Sequence, residues 1–264
     1  MIIDMHTHIF PGKIADKAVD AIGQFYDIPM QEKGVSDNLL EKEKEAGVDR
    51  MLVCSTATTK EQVQSINNFI AREVAEHSEF IGFGSLHPDY EDPGAEIDRM
   101  KEIGLVGIKL HPDFQKFHID DPAAYPIYEA AQGRMPILFH MGDNRYDFSE
   151  PKRLLKVLTD FPQLIAIAAH LGGYQAWSAA EDLPGYLGHP RMYIDTSSSL
   201  PFMNPARALM ICFAHGTDRV LFGTDYPMWE PAEEMARFMK IPFSDKQREN
   251  IFHGNAERLL GESK

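Results

Sequence analysis

Side chains that can bind a metal or transfer a proton recur at the ends of short apolar runs in this sequence. A His-x-His pair, His6 and His8, follows the first run, and later runs end at His140, His170 and close to Asp225. Imidazole and carboxylate groups are ligands of zinc and related divalent ions, and a catalytic ion keeps one coordination position open. The residue types therefore predict a catalytic metal site.

One ion could take its ligands from three of these runs, with His6, His8, His140 and Asp225 as a plausible shell. A bound ion of this kind lowers the pKa of its water toward neutrality and so produces a hydroxide nucleophile. The carboxylate of Asp225 would accept the proton of that water. His170 would orient the nucleophile or polarise the substrate.

Eight strand-length apolar runs must position these side chains. They cover residues 2–6, 50–55, 80–86, 106–110, 136–140, 164–170, 192–196 and 220–224. Apolar runs without clean alternation are typical of strands that are buried on both faces. Residues typical of helix ends lie between the runs, at Ser36, Gly47, Pro93, Pro122, Ser149 and Ser244.

Eight strands that alternate with helices within 264 residues predict a (β/α)8 TIM barrel. A doubly wound open sheet shares this alternation, but the count of eight and the even spacing favour the barrel. No linker or composition break divides the chain, so we expect a single domain over residues 1–264. Active-site groups of such barrels project from the C-terminal ends of the strands, which is where the metal-capable residues lie.

The alternation of side chains along the first strand refines this prediction. Successive side chains point to opposite faces, so Asp4, His6 and His8 would share one face. We expect Ile3 and Met5 to pack against the helices, which would direct the three polar side chains to the barrel axis.

The composition limits the partners. There are 40 Asp and Glu residues against 26 Lys and Arg, a net charge of -14, which disfavours binding to nucleic acid or to anionic membranes. Cys54 and Cys212 lie in apolar segments and resemble reduced core residues. No signal peptide and no membrane-length apolar run is evident. We expect a cytoplasmic protein with a small-molecule substrate, and a homodimer on base rates alone.

Five motifs occur in order from the first strand to the last helix. They are Ile-Asp-Met-His-Thr-His, Phe-His-Met-Gly, Ala-His-Leu-Gly-Gly, Phe-Gly-Thr-Asp-Tyr-Pro and Gly-Asn-Ala-Glu-Arg-Leu-Leu. This ordered set resembles the amidohydrolase superfamily, and within it the amidohydrolase-2 group, which includes aminocarboxymuconate-semialdehyde decarboxylase. The resemblance implies that His6, His8, His140 and Asp225 bind one catalytic metal. It also implies that His170 contacts the metal-bound water or the substrate.

Lys109, in Gly-Ile-Lys-Leu-His-Pro, ends the fourth strand and leaves two alternatives open. In binuclear members of the superfamily, a carboxylated lysine at this place bridges two metals and the histidine of the sixth strand becomes a ligand. Alternatively, Lys109 stays cationic and binds a substrate carboxylate, with His111 on the same strand face. We favour one divalent ion per chain, with zinc expected, over two ions bridged by a carboxylated Lys109.

Two reactions fit such a site. The first is hydrolysis of an amide, lactone or ester-like bond in a small molecule by a metal-activated water. The alternative is non-oxidative decarboxylation of a small unsaturated carboxylic acid, in which the metal and His170 support protonation of carbon. Both use the same ligands, and hydrolysis is preferred as the commoner chemistry. A catalytically silent barrel that binds only a metal or metabolite is disfavoured by the complete ligand set.

Overall fold

Eight parallel strands, paired in sequence order, form one sheet in the computed structural model, which describes residues 1–261. The strands are β1 (Ile3–His8), β2 (Arg50–Cys54), β3 (Phe80–Ser85), β4 (Gly107–Leu110), β5 (Ile137–Phe139), β6 (Ala166–Ala168), β7 (Met192–Asp195) and β8 (Val220–Leu221). The amide of Met5 donates to the Phe222 carbonyl (2.8 Å), and that of Asp225 donates to the His6 carbonyl (2.9 Å). These bonds join the last strand to the first, so the predicted (β/α)8 barrel is confirmed.

Helices connect the strands and surround the barrel. They are α1 (Gly12–Tyr26), α2 (Ser36–Ala46), α3 (Val63–Glu76), α4 (Pro93–Glu102), α5 (Pro112–Gln115), α6 (Tyr125–Ala131), α7 (Pro151–Asp160), α8 (Trp177–Glu181), α9 (Pro205–His215), α10 (Pro231–Phe238), α11 (Asp245–Glu249) and α12 (Asn255–Leu260). The helix predicted near Ser36 begins at that residue, but Val35 holds the cap position and the Ser36 hydroxyl donates to Glu73 instead. The predicted end at Gly47 is confirmed, and its φ of 79° is typical of a glycine cap. Within residues 1–261, no helix is both long and apolar enough to span a bilayer.

Apolar side chains fill two layers. The larger layer lies between the strands and the surrounding helices. The smaller one fills the barrel itself and includes Leu52, Phe83, Leu138 and Ile167. Each fully buried side chain of this size contributes roughly 1.5–3 kcal/mol to folding. The polar side chains at the strand ends therefore lie on top of the packed apolar layer inside the barrel.

The pairing of β1 with β2 contains one extra residue on β1. Asp4 lies opposite Met51 and Thr7 lies opposite Val53, so three steps along β1 match two steps along β2. In such a β-bulge, two residues of one strand oppose one residue of its partner, and the side chains that follow are re-aimed.

The bulge changes which side chains of β1 face the axis. The prediction that Ile3 and Met5 pack against the helices is wrong, because both belong to the apolar layer inside the barrel. Asp4, which was predicted to face inward, is instead buried beside Glu43 of α2. Counting alternate residues along β1 assigned the wrong faces, because the extra residue shifts the inward and outward positions by one. His6, beyond the bulge, still faces the axis.

Candidate metal centre and active site

A cavity of about 520 Å³ lies at the C-terminal ends of the strands. All seven residues singled out in the sequence line it, namely His6, His8, Lys109, His111, His140, His170 and Asp225. Six of them are buried, and His8 is partly exposed. The fold therefore brings into one cavity residues that lie up to 219 positions apart in the chain (225 minus 6).

Three of these residues form a tight triplet of donor atoms. The Nε2 atoms of His6 and His8 are 3.2 Å apart, and Oδ1 of Asp225 lies 3.5 Å from the first and 3.3 Å from the second. Ligand atoms around a tetrahedral ion with bonds of about 2.1 Å are roughly 3.4 Å apart. The triplet therefore fits a single divalent ion without rearrangement of these side chains.

The orientation of His6 is fixed by its other ring nitrogen. Nδ1 of His6 lies 2.9 Å from Oδ2 of Asp195, and both side chains are completely buried. An ionised carboxylate can only accept, so the proton lies on Nδ1 and the lone pair of Nε2 points into the triplet. Although burial opposes it, the neighbouring His6 keeps the pKa of Asp195 below its usual value.

His8 has a different partner at the equivalent atom. Sγ of Cys54 lies 3.4 Å from Nδ1 of His8 and 3.3 Å from the carbonyl oxygen of Thr7, to which the thiol donates. The sulfur can then accept from Nδ1, which leaves Nε2 for the triplet. Although burial opposes it, Cys54 and Asp225 raise the pKa of His8 to about 9, so metal binding must displace a proton from this ring.

The Asp225 carboxylate is held at the other side of the triplet. Ser198 donates its hydroxyl to Oδ2 of Asp225, and Trp229 donates its indole N–H to that hydroxyl (2.8 Å). Asp225 has φ 66° and Ser198 has φ 48°, both in the left-handed region that L-residues seldom adopt. Burial opposes ionisation, but His6 and His8 hold the pKa of Asp225 well below its usual value. The carboxylate is thus anionic and fixed in direction.

Close approach beneath the triplet depends on Gly223. A Cβ atom on Gly223 would lie 3.0 Å from Cβ of His6 and 3.5 Å from Cβ of Asp195. The first distance is tighter than most real contacts and the second is an ordinary van der Waals contact, so a side chain here would require a small shift of His6.

Lys109 reaches the triplet from β4. Its Nζ atom lies 2.9 Å from Nε2 of His6, and the side chain is completely buried. Burial lowers the pKa of Lys109, although Asp225 and Asp195 oppose this shift. Burial and Lys109 together lower the pKa of His6 to about 4. Both predicted roles of Lys109 require this position beside the ligand atoms.

His140 contacts His170, whose ring stacks on that of His6 at a centroid distance of 5.2 Å and whose Nδ1 lies 3.9 Å from Oδ2 of Asp225. Nε2 of His170 is 2.9 Å from Nδ1 of His140, whose Nε2 lies 3.0 Å from the carbonyl oxygen of Gly142. Nδ1 of His170 lies 3.0 Å from the carbonyl oxygen of Ser197 and therefore donates to it. The structure thus joins His6, His8 and Asp225 and places His140 against His170, so ligation by His140 stays a prediction.

His170 was expected at the end of the sixth strand, but β6 ends at Ala168. His170 lies in the following turn with φ 60°. Its backbone N–H donates to Oδ1 of Asp195 at 3.0 Å. This turn, and not strand pairing, directs the imidazole into the cavity.

His111 lines the cavity and also shapes the loop after β4. Its ring stacks on that of His140 at a centroid distance of 4.0 Å, and its Nδ1 accepts from the N–H of Phe114 (3.2 Å). Burial holds the pKa of His111 well below its usual value, so the neutral ring carries its proton on Nε2. That atom is 2.8 Å from the hydroxyl of Tyr26, which accepts and keeps its own O–H for a ligand.

Sequence reasoning missed three residues of this site. Tyr26 ends α1, a helix that was not predicted although apolar residues recur through it at helical spacing. Asp195 ends the seventh strand, and its position matched that of the other strand-end residues, so the same signal was available. Cys54 was interpreted as a core residue, because nothing in its neighbours along the chain points to His8.

Comparison with known proteins identifies a relative whose activity is recorded. The chain is 26% identical over 238 residues to the 2-amino-3-carboxymuconate-6-semialdehyde decarboxylase of Dictyostelium discoideum. The match covers 75% of this chain and 66% of that protein, so the chain spans slightly less than two thirds of the relative.

Solved structures share the fold. A 5-carboxyvanillate decarboxylase from Sphingomonas paucimobilis superimposes with a TM-score of 0.77 at 17% identity, covering 98% of both chains. A dihydroxybenzoic acid decarboxylase from Polaromonas, which contains manganese and the inhibitor 2-nitroresorcinol, gives a TM-score of 0.75 at 18% identity. That match covers 100% of this chain and 97% of the other.

These relatives overturn the preferred prediction of a hydrolase, which is wrong. The curated relative and both solved structures are decarboxylases. The physical reason for the error is that hydrolysis and decarboxylation use the same ligands and the same histidine. The residue types at the strand ends therefore could not separate the two reactions.

A sequence profile of the amidohydrolase family, of the amidohydrolase-2 type, matches residues 3–261. This match extends from β1 to the residue after α12, so it includes every strand of the barrel and every side chain of the candidate site. The chain belongs to the amidohydrolase-2 family.

Proposed function

We propose that this protein is a metal-dependent, non-oxidative decarboxylase of a small unsaturated carboxylic acid. The observation that carries the proposal is the match to the Dictyostelium decarboxylase, which extends over 75% of the chain. The geometry supports it, because a candidate metal triplet and a buried lysine lie together in a cavity of about 520 Å³.

His6, His8 and Asp225 would hold one divalent ion, either the expected zinc or manganese, with His140 as the predicted further ligand. When bound, such an ion supplies Lewis-acid stabilisation of negative charge on substrate oxygens. The one-metal alternative is favoured because the spacing of the donor atoms of His6, His8 and Asp225 suits a single ion.

Lys109 would bind the substrate carboxylate, because it places a donor beside the triplet at the bottom of the cavity. The hydroxyl of Tyr26 would donate to a second polar group of the substrate from the opposite wall. These two contacts would fix the carbon that bears the carboxylate relative to His170.

Decarboxylation without an oxidant requires one proton. The carbon that bears the carboxylate takes up this proton, its bond to the carboxylate carbon then breaks, and the electron pair of that bond restores the unsaturated system as carbon dioxide leaves. His170 is the proposed proton carrier. Burial lowers the pKa of His170, so a proton placed on its Nε2 is readily transferred.

The test is an assay of carbon dioxide release from a panel of aromatic and other unsaturated acids by the metal-loaded protein. We expect release from at least one acid, a loss of about 10²–10⁴-fold in kcat for His170→Asn, and one deuterium at the vacated carbon in D2O. Turnover without carbon dioxide, or unchanged release by His170→Asn, would reject the proposal.

A further inference from the structure

The cavity extends beyond the metal triplet into a channel between α1 and α3. We define the α1–α3 channel by its facing side chains, Ile14, Ala18, Ile22 and Phe25 of α1 and Ile66 and Phe69 of α3. Arg72 of α3 lines its outer end. The channel and the metal triplet therefore belong to one continuous space.

The helical repeat explains how both walls form. Residues three or four apart lie on one face of a helix, and the α1 side chains follow this spacing, as do Ile66 and Phe69. At a rise of about 1.5 Å per residue, the six steps along the helix from Ile66 to Arg72 span roughly 9 Å of channel.

Part of the apolar face of α1 does not pack into the core. Ala15 and Val19 are the buried residues of this helix, whereas Ile14 on the channel side is 51% exposed. A run of uncovered apolar side chains that leads into an active site is suited to the apolar part of a ligand.

The inner end of α1 is fixed by the loop after β5. Arg145 donates to the carbonyl oxygen of Phe25 and pairs with Asp143 at 2.7 Å. Its guanidinium also lies 4.6 Å from the centre of the Phe25 ring. These contacts hold the inner end of the α1 wall in place.

Resting on the proposed function, we propose that the substrate acid carries an extended apolar substituent that lies in the α1–α3 channel and ends near Arg72. The cavity of about 520 Å³ lies within the range of about 300–1,000 Å³ that is usual for sites of drug-sized ligands, which leaves room beside a single-ring acid. The carboxylate would lie at Lys109 and the apolar substituent would replace water along the channel.

The experiment measures binding of straight-chain 2-alkenoic acids of increasing length to the metal-loaded full chain by calorimetry. We expect Kd to fall roughly three- to fourfold for each added methylene until the channel is full. In Ala18→Phe, the fall in Kd with each added methylene should stop at a shorter acid, while the Kd of the shortest acid is unchanged. Ala75→Phe, at an exposed position of α3 outside the cavity, is the matched control.

Ile22→Ser serves as a second variant in case Ala18→Phe disturbs α1, and it should reduce the gain per methylene. A Kd that is independent of chain length, or equal length dependence in all three variants, would overturn the inference. Length-dependent binding without release of carbon dioxide from any acid would support the channel while rejecting the decarboxylase proposal.

Discussion

Nδ1 of His6 lies 2.9 Å from Oδ2 of Asp195, a carboxylate that is completely enclosed at the end of β7. This pair links the first strand to the seventh and determines which nitrogen of His6 faces Asp225. Its effect on metal binding can be measured without any knowledge of the substrate.

Asp195→Asn should weaken metal binding roughly 10- to 100-fold, the usual cost of losing a carboxylate behind a ligand histidine. The amide can donate to Nδ1, which would move the ring proton to Nε2 and oppose coordination. Competition with a chromophoric chelator gives the affinity. Asp182→Asn, at an exposed position after α8, is the control, and equal affinities of the two variants would contradict the assigned role.

Asp225→Asn should remove the metal itself. We expect elemental analysis of protein purified without chelator to give one equivalent per chain, and much less in the variant, because the triplet loses its only anionic ligand. Two equivalents that depend on bicarbonate would instead favour the carboxylated Lys109. No metal after addition of zinc or manganese would reject the site.

Cys54→Ala should also weaken metal binding, by about tenfold, because Nδ1 of His8 loses its acceptor. Cys54→Ser should recover part of the loss, since a hydroxyl can accept the same hydrogen bond. Cys212→Ser, at a buried position of α9, is the matched control for placing a hydroxyl in the core. If the chelator competition gave the Cys54 variants wild-type affinity, the thiol would have no part in positioning His8.

Tyr26→Phe should lower kcat/KM for carbon dioxide release about 10- to 100-fold with little change in fold. The kinetic loss is expected because the hydroxyl that would donate to the substrate is removed. Stability should also fall, because the N–H of His111 would lose its buried acceptor and an unsatisfied buried group costs about 1–3 kcal/mol. Steady-state kinetics measures the first effect, and circular dichroism monitors the second. Tyr146→Phe, at a position 45% exposed, should behave as wild type.

The stability of the protein should fall as pH rises through the range in which Glu234 ionises. Burial raises the pKa of this carboxyl to about 8, although Arg237 opposes the shift. An unfolded glutamate has a pKa of about 4.3, so between the two values the folded state holds a proton that the unfolded state has released. The folded state is therefore progressively disfavoured from about pH 4.3 to about pH 8.

Glu234→Gln should flatten this dependence and, above pH 8, be more stable than wild type by a few kcal/mol at most. Urea unfolding between pH 5 and 9 measures the pH dependence of the free energy of unfolding for both proteins. Glu233→Gln on the same helix changes a side chain that is 54% exposed and should leave the slope unaltered. Parallel curves for wild type and Glu234→Gln would show that this carboxyl is ionised throughout.

Much of the fold was predictable because buried parallel strands are apolar along their whole length. All eight strands were located, with errors at their ends, such as the placing of His170 in a strand when a turn with φ 60° holds it. Strand-end position also brought the candidate residues to one cavity. Contacts between segments that are distant in the sequence could not be predicted in this way. Tyr26 meets His111, and Cys54 meets His8, only when the chain folds.

The bulge in β1 has a consequence for the tolerance of this strand to a change in length. Thr7 and His8 keep a regular register with β2, and Ile3 and Asp4 keep one on the other side of the extra residue. A chain that lacked Met5 would therefore form an uninterrupted strand in which both histidines still face the axis. The direction of the histidine pair is set by pairing with the neighbouring strand, so we expect a variant of this chain without Met5 to keep both histidines in the site.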